Sequence, residues 1–336
     1  MRETIVLSSA ISHFIHPDWR VQKTVLNNEN TSGNKDSGFN RTSLSLYFIV
    51  ATAITSAFWI PSSFIAASNG YLMPSPVTFV ELAQNGFKDT THVLTALIFS
   101  IGVYGPLISA MYFTYKRFGN AGTSDLMSRI TRWRVDKKWY LAALIVPFII
   151  TVPAILAGLF SGMPFQMDSR IPVPLLVPFI LWQLVTSGLE EPGWRGYALP
   201  ELQKKYNADT SSWRLGIMWS IWHWPYLVFL YASTIELPSD IPPEMVGVAL
   251  GATILISLFQ HALSTAGISF VYTWLYNNTE SVFICIVFHA FTNLVTTYVQ
   301  FILPHQGLSV VLGIMPWIIA FALRKQYGKE TLTGLS

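Results

Sequence analysis

Charge is what this sequence has least of. Asp, Glu, Lys and Arg make up 12% of its 336 residues, about half of the ~25% usual in a soluble domain. Cysteine is almost absent: the lone Cys285 excludes an intramolecular disulfide and a multi-cysteine metal site. No internal repeat is visible. A Gly-rich phosphate loop, an H-E-x-x-H pair and a Ser/His/Asp pattern are all missing, so the chemistries built on them lack their parts. The start of the chain shows no basic n-region, apolar h-region and cleavage site in series, so no removed signal peptide is expected. No nucleic-acid partner is expected either.

What the chain does have is apolar length. Hydrophobic residues reach 51%, and mean hydropathy is +0.43. Runs of about 18 residues or more, long enough to cross a bilayer as helices, recur along it. They predict spans at 44–66, 92–115, 140–161, 171–189, 215–232, 247–275, 281–303 and 307–323. The expected fold is therefore all-α, a polytopic transmembrane bundle of about eight helices in contact with membrane lipid. Residues 1–43 are polar and read as a disordered tail. Residues 44–170 hold the first transmembrane helices, 171–303 a polar-marked core, and 304–336 a last helix with a basic tail. The run 247–275 would make a helix of ~43 Å against a hydrocarbon core of ~30 Å. It is either one tilted helix or a helix interrupted near Gly267. Sequons at Asn30, Asn40 and Asn277 read as chance matches.

Basic residues set the expected orientation, because cytoplasmic flanks retain Lys and Arg. With the N-terminus inside, 19 of the 21 Lys and Arg fall on inside segments, leaving only Lys88 and Arg170 outside. Both termini are then cytoplasmic, as is the segment opening at Glu190. The location expected is a membrane, the plasma membrane in a prokaryote.

Polar groups enter the membrane in the second half. "LEEPGWRGYALPEL" (189–202) ends an apolar run with two carboxylates and an arginine. Glu191 and Arg195 stand four apart, which suits an ion pair on one helix face; Pro192 breaks the ladder and could make Glu191 a cap, with Arg195 still in reach. Either way Glu190 is left over. His223 follows Trp219 by one turn, and His289 precedes Asn293 by one turn. Each has an ordinary alternative: a charged helix end, a structural histidine among aromatics, a polar interhelical pair. His261 has only Ser257 and Ser264 for polar neighbours and reads as structural. Intramembrane ionisable groups nevertheless favour a bundle interior or a watery cavity. A free Glu, a His and a His/Asn pair are together the parts for amide hydrolysis, with water activated by the first two and the oxyanion held by the others.

These residues resemble the CAAX protease and bacteriocin-processing (CPBP, or Abi) family of intramembrane endopeptidases, which includes the type II CAAX prenyl endopeptidases. Its E-E-x-x-x-R motif is matched by Glu190, Glu191 and Arg195, its F-x-x-x-H by Trp219 and His223, and its H-x-x-x-N by His289 and Asn293. The resemblance covers about 171–300. It implies Glu190 and His223 as water activators, His289 and Asn293 as the oxyanion hole, and Glu191 and Arg195 as support. It also implies a membrane-associated or lipidated peptide substrate, cut near the cytoplasmic face. No cofactor is expected, although members are often labelled metalloproteases; a zinc site, if used, would draw on Glu190, His223 and His289. Two other classes stay open: a proton-coupled transporter, disfavoured by the lack of a matching half, and a non-proteolytic immunity or scaffold protein.

Overall fold

Proline and glycine decide where this apolar chain breaks, and the breaks place the polar residues. The computed structural model describes residues 41–160, 173–235, 237–302 and 306–333, all within one unit, Asn40–Ser336. The tail expected over 1–43, apart from its last three residues, lies outside the described residues, as do Arg170 and the sequons Asn30 and Asn40. Among the described residues, all regular structure is helical.

The helices are α1 (Arg41–Asn69), α2 (Phe79–Asn85), α3 (Thr90–Gly102), α4 (Gly105–Ile130), α5 (Lys137–Phe160) and α6 (Leu176–Val185). After an irregular helical stretch come α7 (Ala208–Thr234), α8 (Val246–Thr279), α9 (Val282–Ile302) and α10 (Gln306–Tyr327). Among the described residues, six helical stretches are long and apolar enough to cross a membrane, with α3 and α4 counted as one. The expected spans 215–232 and 307–323 fall on α7 and α10, outside that set. In α7 the apolar run is diluted by Ser211, Ser212, Ser220, His223 and Tyr226.

Two expectations are refined. The run 92–115 is two helices, turning at Val103–Tyr104. Pro106, with no N–H to donate, suits the first turn of α4. Gly105 is needed there, since a Cβ would lie 2.2 Å from Thr55 Oγ1. α4 then continues to Ile130, through a kink at Gly119, into the stretch expected to be loop. The run 247–275, by contrast, lies within one unbroken helix of 34 residues. Gly267 does not interrupt it; the glycine lets α10 approach, with Trp317 Nε1 3.0 Å from where its Cβ would be.

α7 and α8 share the most intimate helix contact. A Cβ on Gly216 would meet Ala266 Cα at 2.4 Å, so the backbones nearly touch, the small-residue packing that close helix approach in a bilayer requires. α9 packs against α5 and α6, while α1 lies against α3, α4 and α7. One face of α8 remains unpacked: Leu255, Ile256 and Phe259 are all exposed, as lipid-facing side chains would be.

The stretch after α6 bends repeatedly. A 3₁₀ turn (Ser187–Glu190) leads into one helical turn (Glu191–Gly193), a π turn (Trp194–Ala198) and a short α turn (Leu199–Gln203). Pro192 and Pro200 each remove a backbone donor, which is why the regular ladder fails here. The carbonyl of Gly196, left without Pro200 as a donor, is taken by Arg129 Nη1 from α4 at 2.8 Å. The same nitrogen reaches Tyr276 Oη on α8, also at 2.8 Å.

Candidate active site

The bend separates the two adjacent glutamates. Glu191 turns into the protein and is fully buried beside fully buried Arg195. Arg195 Nη1 donates to both of its carboxylate oxygens, at 2.9 and 3.1 Å. Of the two roles open to Glu191, the ion pair is the one formed; it makes no side-chain cap. Tyr272 and Trp219 lie against the guanidinium, with ring centres 3.8 and 4.5 Å from its carbon. Such contacts are worth ~0.5–2 kcal/mol each and hold the cation where water does not reach. His289 Nδ1 also meets Glu191, at 2.8 Å from Oε1. A carboxylate paired with arginine accepts only, so Nδ1 carries a proton and Nε2 is left for the cavity that His289 lines.

Glu190 faces the other way, onto that cavity. Trp219 Nε1 donates to its Oε2 at 2.9 Å. The position where the family motif has Phe thus supplies a hydrogen bond as well as a ring. His223 Nδ1 lies 2.9 Å from the Trp219 carbonyl oxygen, which cannot donate, so this nitrogen is the protonated one. Nε2 therefore presents its lone pair, 4.0 Å from Glu190 Oε2. That separation is too long for a direct hydrogen bond and suits two groups that share one water.

The cavity measures about 530 Å³ and is lined by Glu190, Trp219, His223, His261, His289 and Asn293 among others. All four residues expected to be catalytic therefore share one space. Asn293 Nδ2 donates to Gln183 Oε1 at 2.6 Å. Gln183, fully buried on α6, went unnoticed in the sequence because its partner is 110 residues away. His261, expected to be structural, has more around it than its own helix offers. It lines the cavity, bonds Ser220 Oγ at 2.9 Å and stands 5.2 Å ring to ring from His223. The helical spacing that was available for it is Thr265, at 3.4 Å.

Residues 172–295 match the family model described as type II CAAX prenyl endopeptidase Rce1-like. Over this stretch the chain is similar to the Rce1-like family. The stretch holds every site residue named above. A curated relative, "CAAX prenyl protease 2" of Methanococcus maripaludis, is 23% identical over 255 residues, covering 74% of this chain and 82% of its own length. That likeness extends well beyond the Rce1-like stretch into the flanking helices. As for the zinc alternative, no group of three or more His, Cys, Asp or Glu among the described residues is placed to hold a metal ion. Glu190, His223 and His289 share the cavity wall without forming a ligand set.

Proposed function

We propose that the chain is an intramembrane endopeptidase that hydrolyses a peptide bond with water activated by Glu190 and His223. The observation that carries this reading is the 4.0 Å separation between Glu190 Oε2 and His223 Nε2. Both atoms accept, and both face one cavity. A water between them donates one hydrogen bond to each; as its oxygen attacks the carbonyl, one proton passes to Glu190, which returns it to the leaving amine nitrogen as the C–N bond breaks. Trp219 holds Glu190 in place, and its carbonyl holds the imidazole.

His289 and Asn293 then receive the negative charge. Since Nδ1–H of His289 is committed to Glu191, only the doubly protonated ring can donate from Nε2. Glu191 is the counter-ion for that charge, and Arg195 holds it in place. Asn293 Nδ2 has two protons; Gln183 takes one, and the other serves the oxyanion. No step in this scheme uses a metal.

The substrate proposed is a prenylated or otherwise lipidated peptide. The name of the Methanococcus maripaludis relative supports it, as do the apolar side chains Trp59, Phe99, Trp182 and Leu227 on the same cavity wall. The cut falls near the cytoplasmic face, following the Lys and Arg distribution. In a Cys285→Ser background, single cysteines placed in 116–139 should resist a membrane-impermeant thiol reagent in intact cells, while those in 67–91 should label. Labelling of 116–139 would invert the topology.

The deciding experiment uses purified protein and a prenylated peptide in lipid nanodiscs. Wild type should cleave it with a strong chelator present and with far less than one zinc per chain. Glu190→Gln should fold and not cleave. One tightly bound zinc, with activity returned by adding it back, would overturn the metal-free scheme, and cleavage by Glu190→Gln would overturn the role of Glu190.

A further inference from the structure

One cavity wall remains without a task in this scheme. α8 offers it Ser257, His261 and Ser264, spaced four and then three residues apart, which is one helix face. On the same cavity α9 offers Thr292 and Thr296, again one turn apart. These are two polar ladders inside a membrane protein, where an uncompensated polar group is costly. The lipid-facing side of α8 at the same level is Leu255, Ile256 and Phe259, all exposed. The polar face is thus turned selectively to the cavity.

The hydrogen bonds these side chains already make determine what the ladders can bind. Thr292 and Thr296 donate to carbonyls of their own helix, at 2.8 and 2.7 Å, so toward the cavity their oxygens act as acceptors. Ser220 Oγ accepts from Trp224 Nε1 at 3.4 Å and meets His261 Nδ1 at 2.9 Å. Thr265 Oγ1 lies 3.4 Å from the same nitrogen; in the tautomer in which Ser220 donates to Nδ1, His261 carries N–H at Nε2 and is a donor. Ser257 and Ser264 form no hydrogen bond among the described residues and can do either. Acceptors on one helix and donors on the other suit a guest with both N–H and C=O groups. A prenyl chain has neither; a peptide main chain in extended form has both, alternating along its edges.

Length agrees. From Ser257 to Ser264 the helix rises about 10 Å, the length of about three extended residues. His261, within that run, stands 5.2 Å from the His223 ring.

We infer that the polar ladders that α8 and α9 present to this cavity form a track that holds about three residues of substrate main chain in extended form beside the reacting bond, with His261 as its principal donor. This inference rests on the endopeptidase reading above and assigns the part of that site that binds peptide.

The test measures binding without turnover, in the Glu190→Gln background, using two fluorescent probes: a prenylated peptide and a prenylated cysteine methyl ester that lacks the peptide. His261→Phe should weaken the peptide about tenfold, the effect of one desolvated hydrogen bond, and Ser257→Ala with Ser264→Ala several-fold. Neither should alter binding of the ester. Because His261→Phe strands Ser220, the serine pair, which has no partner to strand, guards against misfolding. Methylating the main-chain nitrogens of the peptide should reproduce the loss in the parent and add little in the variants. Unchanged peptide binding in the serine pair and in His261→Phe, or equal losses for both probes, would overturn the track. Cleavage by Glu190→Gln would count against the proposed chemistry alone, since the track is read from binding.

Discussion

Glu190 and Glu191 are chemically identical neighbours in opposite surroundings. Glu191 is enclosed by Arg195 and His289, with two aromatic faces over the guanidinium. Glu190 has one indole donor and an open cavity. The lesson concerns partners more than burial, since both carboxylates are nearly inaccessible, at 3% and 0% exposure. An enclosed charge with a full set of partners supports the fold, whereas one with a single donor and a facing lone pair is available for chemistry.

The sharpest way to break this comparison is to remove the cation. Arg195→Met should leave Glu191 buried and half-paired, costing about 3–5 kcal/mol, seen as a large fall in Tm and yield. Glu190→Gln, whose amide oxygen still accepts from Trp219, should melt close to wild type. Equal losses in the two would erase the distinction. A smaller effect is expected on the cavity side: Trp219→Phe keeps an aromatic ring near Arg195 and deletes the donor to Glu190. A hydrogen bond to a charged group is worth about 1.5–3 kcal/mol, so single-turnover cleavage should slow by roughly 10–100-fold. An unchanged rate would show that the indole N–H has no part in positioning Glu190. Smallest is Gln183→Leu, which removes the acceptor that orients Asn293. Here kcat should fall by about tenfold with KM nearly constant, as for an interaction made in the transition state; a rise in KM alone would assign Gln183 to substrate binding.

Much of this arrangement was legible in the sequence because its key pairs are local. Glu191 with Arg195, Trp219 with His223, and His289 with Asn293 are all one helical turn apart, and one-turn spacing puts side chains on one face. The distant partners were not legible. Gln183 on Asn293, Tyr272 over Arg195 and His261 beside His223 each depend on how two helices are set against each other. The fold shows the same division. Hydropathy located the apolar runs, but it could not show that Gly267 serves packing and leaves α8 whole, or that 92–115 bends at Val103–Tyr104, where Gly105 must fit against Thr55 of another helix.

The carbonyl that Pro200 leaves free on Gly196 bears on inheritance. It is completed by Arg129, which lies outside the Rce1-like stretch 172–295. Thr55 is also outside, and it accepts the indole proton of Trp222 at 2.8 Å. The motif-bearing stretch is therefore not a transferable module. A chimera that grafts 172–295 onto foreign helices would keep every reactive side chain and still lack the guanidinium that finishes the bend between the two glutamates and α8. Exchange between relatives would succeed only where the donor and host scaffolds both place an arginine at that point.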